Sequence, residues 1–285
     1  MRSVYIYCDG GFGNRFNALV SGLVLAKTLD LSPQIVWPVN NWCGAAFGDL
    51  LESDLPVLDR EVATFVPERQ HFRHFLVEDR LGLQPGWTVD ESPLRMGHWD
   101  AVRAHLGVCN ADVFYYTALI PPFMAAADVL AEVRGLRLRR GIIDTVDAFL
   151  RDSGLLEQHF FGVQIRKTDF GSLGADEENL FDLLSKSEGH RFFVCSDDQK
   201  VEARFCALAN VTVHRKSAYV DKLVDGDWTA VTTDCSGRSY PCNVNRNRQS
   251  VLDAVADLLI LSHSQIVTTS NSTFLKAALL LQASR

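Results

Sequence analysis

The sequence predicts an α/β protein of two facing Rossmann-like domains, residues 1–150 and 151–285. Three observations predict it. Residues 4–38 run strand, glycine turn, helix, strand, which is how a doubly wound α/β unit opens. Residues 160–214 alternate short apolar strands with helical stretches in the same manner. The length of 285 residues suits two domains of about 140 residues each.

Residues 4–8 are short, aromatic and β-branched, hence the first strand. The turn Asp9-Gly10-Gly11-Phe12-Gly13-Asn14-Arg15 follows. Leu19, Val20, Leu23, Val24 and Leu29 then recur at helical spacing over 16–29, and 34–38 form a second apolar strand. Residues 40–140 scatter proline, histidine and tryptophan, which predicts irregular loops with strands at Phe72–Val77 and 113–117. The LRLRR run at 136–140 reads as a solvated helix face, followed by a helix over 142–155. In the second half, 160–166, 191–195 and 211–214 read as strands, with a helix over 198–209. From Ser250 the pattern SVLDAVADLLILS is helical, with Ser250 and Asp253 placed as a capping box. A strand at 265–269, a polar turn at 270–273 and an apolar helix at 274–282 end the chain.

Composition narrows the function. With 47% hydrophobic and 22% charged residues, fibrous and disordered classes are excluded. Thirty-five acidic against 28 basic residues, a net charge of −7, argue against a nucleic-acid face but leave room for a local phosphate pocket. The seven cysteines contain no CxxC pair, and Cys235 with Cys242 lacks the second half of a zinc site, so thiols in a reducing compartment are expected. The N-terminus is not a secretory signal, and no run approaches the roughly 18 apolar residues of a membrane span. The expectation is a cytoplasmic enzyme or binding protein without a transmembrane segment, meeting any lipid-linked substrate at a membrane surface.

The glycine turn is not a dinucleotide fingerprint. Phe16 stands where the third glycine should be, the second strand ends in Trp37-Pro38-Val39-Asn40 without an acid, and the Walker lysine is missing. What remains is a turn carrying Asn14 and Arg15 at a helix N-terminus, with a ligand or with none. In the second half Gln164 and Arg166 alternate toward one face at a strand end. Arg166 there suits a diphosphate, or a structural pair with Asp169 or another carboxylate. Ser270, Ser272 and Thr273 surround the first N–H groups of the last helix, an anion site or a simple cap. Two phosphate-suited places in one domain point to a nucleoside diphosphate. Asp225-Gly226-Asp227 has the DxD form of a metal site, but Asp-Gly is a turn signal and no good strand precedes it. No metal and no cofactor are expected, and Asp9 is the nearest guess for a general base.

With these residues in hand, the sequence resembles the GT-B fucosyltransferase superfamily of α1,6-, α1,2- and protein O-fucosyltransferases. Gly11-Phe12-Gly13-Asn14-Arg15 is similar to the GxFGNQ opening of the protein O-fucosyltransferases. The stretch from Gly162 through Gln164, Arg166, Lys167, Thr168 and Asp169 resembles the H-x-R-R-T-D motif of the α1,6-enzymes, including the rhizobial nodulation-factor enzymes. Residues 257–274, from Asp257 to Ser272-Thr273-Phe274, resemble the third motif, and residues 193–198 a strand-SDD between the two. The resemblance implies inverting, metal-independent transfer from a GDP-sugar, GDP-fucose first, to a glycan, lipid-linked glycan or protein acceptor. It implies that Arg166 holds the β-phosphate and Asp257 contacts guanosine. Ser272, Thr273 and Phe274 would surround phosphates and sugar, with Gln164 beside them, and Asn14 and Arg15 would serve the donor from the first half. Asp257 is otherwise a solvated helix residue. Gln164 departs from the family's histidine, Lys167 from a second arginine and Thr273 from a second serine. Gln164 also favours the rival reading of a nucleotide- or glycan-binding module without turnover, and a transferase using another nucleotide sugar is a third.

Overall fold

The computed structural model describes residues 2–58, 72–77, 98–107, 112–168, 177–226, 229–233, 239–267 and 272–285. In chain order the elements begin β1 (Ser3–Tyr7), α1 (Phe12–Thr28), β2 (Ser32–Val36), α2 (Phe47–Leu50), β3 (Leu51–Glu52), β4 (Val57–Leu58) and β5 (Phe72–Val77). They continue as α3 (Trp99–Gly107), β6 (Asp112–Tyr116), α4 (Ala126–Gly135), β7 (Arg137–Leu138), α5 (Arg140–Asp152), β8 (Phe161–Ile165), α6 (Glu177–Lys186) and β9 (Phe192–Ser196). The remainder are α7 (Gln199–Phe205), β10 (Val211–Thr212), β11 (Asp221–Lys222), β12 (Val231–Thr233), β13 (Ser239–Pro241), β14 (Val244–Asn245), α8 (Arg248–Leu261), β15 (Gln265–Ile266) and α9 (Thr273–Ala283).

The chain divides into two compact units. Unit 1 is Met1–Val39, Leu51–Arg137 and Ser284–Arg285, and unit 2 is Asn40–Leu50 and Leu138–Ala283. Unit 1 holds a five-stranded sheet in the order β4-β2-β1-β6-β5, parallel at every pairing. The chain winds outward from β1 through β2 to β4, then returns to β1's other side, so the order reverses between β1 and β6. Unit 2 holds a four-stranded parallel sheet, β10-β9-β8-β15, with its reversal between β8 and β15. In such sheets the loops at a reversal part and leave a crevice at the carboxyl edge, where ligands bind.

Both sheets are covered because their strands and helices are apolar where they meet. β9 is buried along its whole length. Val163, Ile165, Val194, Val201 and Phe205 form one core cluster with Leu184 of α6. Helix α1 begins at Phe12, earlier than periodicity predicts, and is buried on nearly every side. The close approach of α1 to β1 is made at Gly22, not at position 16 where Phe16 stands. A Cβ there would meet Ile6 Cγ1 at 2.6 Å.

Several expected boundaries differ. The LRLRR run is not one helix face: β7 covers Arg137–Leu138, and α5 starts at Arg140. Helix α5, with Ile142, Val146 and Leu150 buried, and the segment 40–50 lie in unit 2, although the sequence assigns both to the first half. The physical reason is local bonding. Gly44 N–H donates to the Arg246 carbonyl at 2.7 Å, Arg139 N–H to that of Leu50 at 2.9 Å, and Arg248 pairs with Asp49 at 2.8 Å. Ser250 does not open the helix over 248–261. Asn247 caps it, accepting Ser250 N–H at 2.9 Å, and Asp253 faces another loop. Among the described residues no helix is long and apolar enough to cross a membrane.

Candidate functional site

In unit 1 the turn after β1 lies at the carboxyl edge, beside the reversal between β1 and β6. Gly10 takes φ +76°, which an L side chain rarely adopts, and a Cβ there would meet Asn14 Nδ2 at 2.6 Å. Asn14 is half-buried against this turn. Arg15 is fully buried and bonds within the turn region. Its Nε donates to the Gly10 carbonyl and its Nη1 to that of Pro38, both at 2.7 Å; Asp9 is 3.7 Å away, and the guanidinium lies 5.0 Å from the Trp37 ring centre. Arg15 thus builds the turn from inside, and Asp9 is its ion-pair partner. Asn17 Nδ2 reaches the Ala118 carbonyl at 3.1 Å, joining α1 to the segment leaving β6.

In unit 2 the reversal between β8 and β15 brings several predicted residues together. Ser272 Oγ donates to Gln164 Oε1 at 2.9 Å, linking the start of α9 to the end of β8. The same oxygen accepts Leu275 N–H at 3.2 Å, so Ser272 caps α9, while Thr273 opens the helix and Phe274 is half-buried in its first turn. Arg166 follows β8 directly and is half-buried. The backbone beyond it is held by Asp197, which accepts Lys167 N–H at 2.7 Å, Thr168 N–H at 3.3 Å and the Thr168 hydroxyl. Lys167 pairs with Glu177 at 2.6 Å. Asp198, the second carboxylate of the SDD run, caps α7 through Lys200 and Val201 N–H. Asp169, Ser270 and Asp227 lie outside the described residues, and Asp225 is exposed. Among the described residues no cluster of three or more His, Cys, Asp or Glu side chains is arranged to hold a metal.

Asp257 is not a solvated helix residue: its side chain is 3% exposed. Its Oδ1 lies 3.0 Å from His214 Nδ1 and its Oδ2 2.7 Å from Lys216 Nζ. Lys216 Nζ also bonds Glu202 Oε1 and the Ser196 carbonyl, and Tyr219 donates its hydroxyl to Glu202 Oε2 at 2.6 Å. Burial opposes the Lys216 charge, but Asp257 and Glu202 outweigh it and hold the ammonium above the ordinary lysine range. Burial pushes the Glu202 carboxyl up, with Lys216 opposing. No motif in the sequence marks Lys216, Glu202 or Tyr219. The one local sign is the alternation of His214 and Lys216, which puts two basic groups on one side of the chain leaving a strand.

No protein-family model matches the sequence, and no curated protein does. The fold is that of the GT-B fucosyltransferases. NodZ α1,6-fucosyltransferase from Bradyrhizobium is similar at TM-score 0.60 and 17% identity, over 98% of this chain and 93% of that one; it has also been co-crystallised with GDP and soaked with GDP-fucose. A mutant of Arabidopsis thaliana FUT1 in complex with GDP matches at TM-score 0.55 and 13% identity, over 99% and 69%. POFUT1 in complex with GDP matches at 0.51 and 15%, over 99% and 96%.

Proposed function

We propose that the chain is an inverting, metal-independent glycosyltransferase that moves fucose from GDP-fucose to a hydroxyl of a glycan, lipid-linked glycan or protein. One observation supports this reading: the Gln164–Ser272 hydrogen bond across the β8/β15 reversal, which ties the start of α9 to the strand that Arg166 follows. A planar guanidinium and helix N–H groups both suit a diphosphate. The fold shared with enzymes crystallised with GDP and GDP-fucose supports the choice of nucleotide.

In this mechanism an acceptor hydroxyl attacks the anomeric carbon from the face opposite the diphosphate. The bond from that carbon to the β-phosphate oxygen breaks, and the hydroxyl proton leaves to a base. Negative charge grows on the diphosphate as the bond opens. Arg166 and the α9 N-terminus stabilise it where it develops, which removes the need for a divalent ion. Thr273 and Phe274 line the phosphate and sugar end of the site in unit 2. Arg15 acts through the turn it builds. Asp257 serves the guanosine end together with its partners His214 and Lys216. A cytoplasmic setting suits Cys8, Cys43, Cys195, Cys206 and Cys242, which are thiols.

A thermal-shift panel of GDP, UDP, ADP and CMP tests the reading, since a ligand bound only by the folded state raises the melting temperature. GDP is expected to protect most, and transfer from GDP-fucose is expected to survive EDTA. Protection by UDP alone, or strict dependence on manganese, overturns it.

A further inference from the structure

The buried charges beside β9 and β10 join four places in unit 2. Lys216 Nζ meets Asp257 of α8 at 2.7 Å, Glu202 of α7 and the Ser196 carbonyl at the end of β9. Glu202 Oε1 also accepts Ser196 N–H at 2.7 Å. The Lys216, Glu202 and Asp257 side chains are only 5%, 3% and 3% exposed. One turn earlier on α8, Asp253 Oδ2 accepts Ser217 N–H at 2.7 Å and Ala218 N–H at 2.9 Å. Two carboxylates four residues apart on one helix therefore hold the loop leaving β10, one by its backbone and one by Lys216 and His214.

Stability alone does not account for such a cluster, because apolar packing of equal volume commonly serves a core as well as a buried ion pair. What the cluster does is fix the register of groups at the carboxyl edge, the ligand edge of a parallel sheet. β10 lies two strands from β8, about 10 Å along that edge at ordinary strand spacing. That is the reach of a nucleoside from a diphosphate held at Arg166 and α9.

We propose that Lys216 is a positioning residue: by clamping Asp257 and Glu202 it holds the 214–219 loop, with His214, where the base of the nucleotide lies, and so sets the nucleotide preference. The proposal rests on the glycosyltransferase reading above. His214 is held by Asp257 at Nδ1 and packs against the Phe149 ring, with 5.4 Å between ring centres and the planes steeply inclined. Removing Lys216 frees Asp257 to move and leaves two buried carboxylates without their shared cation.

The test is calorimetric binding of GDP and ADP, with melting temperatures, to the wild-type chain, to Lys216→Met and to Lys216→Met/Glu202→Gln. The double variant removes one charge of each sign, so its interior is no more charged than the wild type's. The single variant is expected to bind GDP about tenfold more weakly or worse, the scale of a lost charged hydrogen bond, with a narrowed preference for GDP over ADP. The double variant is expected to regain melting temperature while GDP binding stays weak; should the single variant not fold, this arm decides. A folded variant with unchanged GDP affinity and preference overturns the proposal. So does GDP binding that returns in step with melting temperature, which would mark Lys216 as merely structural. A wild-type chain that binds neither nucleotide overturns the glycosyltransferase reading itself, and the proposal with it.

Discussion

Arg166 leaves the sheet at the end of β8, and Asp197 grips the backbone on its far side through Lys167 and Thr168 N–H. In the proposed mechanism an arginine so placed is worth more in the transition state than in the bound donor, because diphosphate charge accumulates only as the glycosidic bond breaks. Arg166→Ala and Arg166→Lys are both expected to slow turnover by about 100-fold or more. Lysine keeps the charge and loses the planar fork. GDP affinity should fall less, and the melting temperature should barely change. Steady-state kinetics with a parallel thermal melt checks this: normal turnover with a large loss of stability would make Arg166 a structural arginine. Arg15 shows the contrast. It too follows a strand end at a carboxyl edge, yet its guanidinium is bound to the Gly10 and Pro38 carbonyls inside the turn.

Helix α9 works as an element because one hydroxyl does two jobs. Ser272 Oγ caps the helix at Leu275 N–H and ties it to Gln164 on β8. Ser272→Ala removes both bonds and is expected to cost about 1 kcal/mol in urea unfolding, the usual value of a lost cap. GDP protection should fall with it, since the first turn of α9 loses its anchor to β8; Ser272→Thr, which retains a hydroxyl, should keep most of both. Unchanged stability in the alanine variant would mean that water replaces the cap. Helix α1 holds its own strand by a different device, the missing side chain at Gly22 that lets it lie against Ile6.

Across the whole molecule the chain visits unit 2 twice before β8. Segment 40–50 is bound there by Gly44, Arg139 and the Asp49–Arg248 pair, and α5 brings Ile142, Val146 and Leu150. A fragment of residues 151–285 lacks both pieces and is expected to show no cooperative thermal transition by circular dichroism, whereas the full chain shows one. A sharp transition in the fragment would mean that these contacts are dispensable.

Much was legible in the sequence because it is local. Alternating apolar residues give β1, β8 and β9, helical spacing gives the helix over 248–261, and glycine with small polar residues marks the turns at their ends. The same locality exposed Gln164, Arg166 and Ser272 as residues at strand and helix ends. Their meeting is another matter: Gln164 and Ser272 are 108 residues apart, and only the strand order β9-β8-β15 makes them neighbours. The burial of Asp257, the bonding of Lys216 and the return of 40–50 to unit 2 likewise depend on which elements pack together. A side chain's own sequence sets what it can bond; the tertiary structure decides which partner removes it from water.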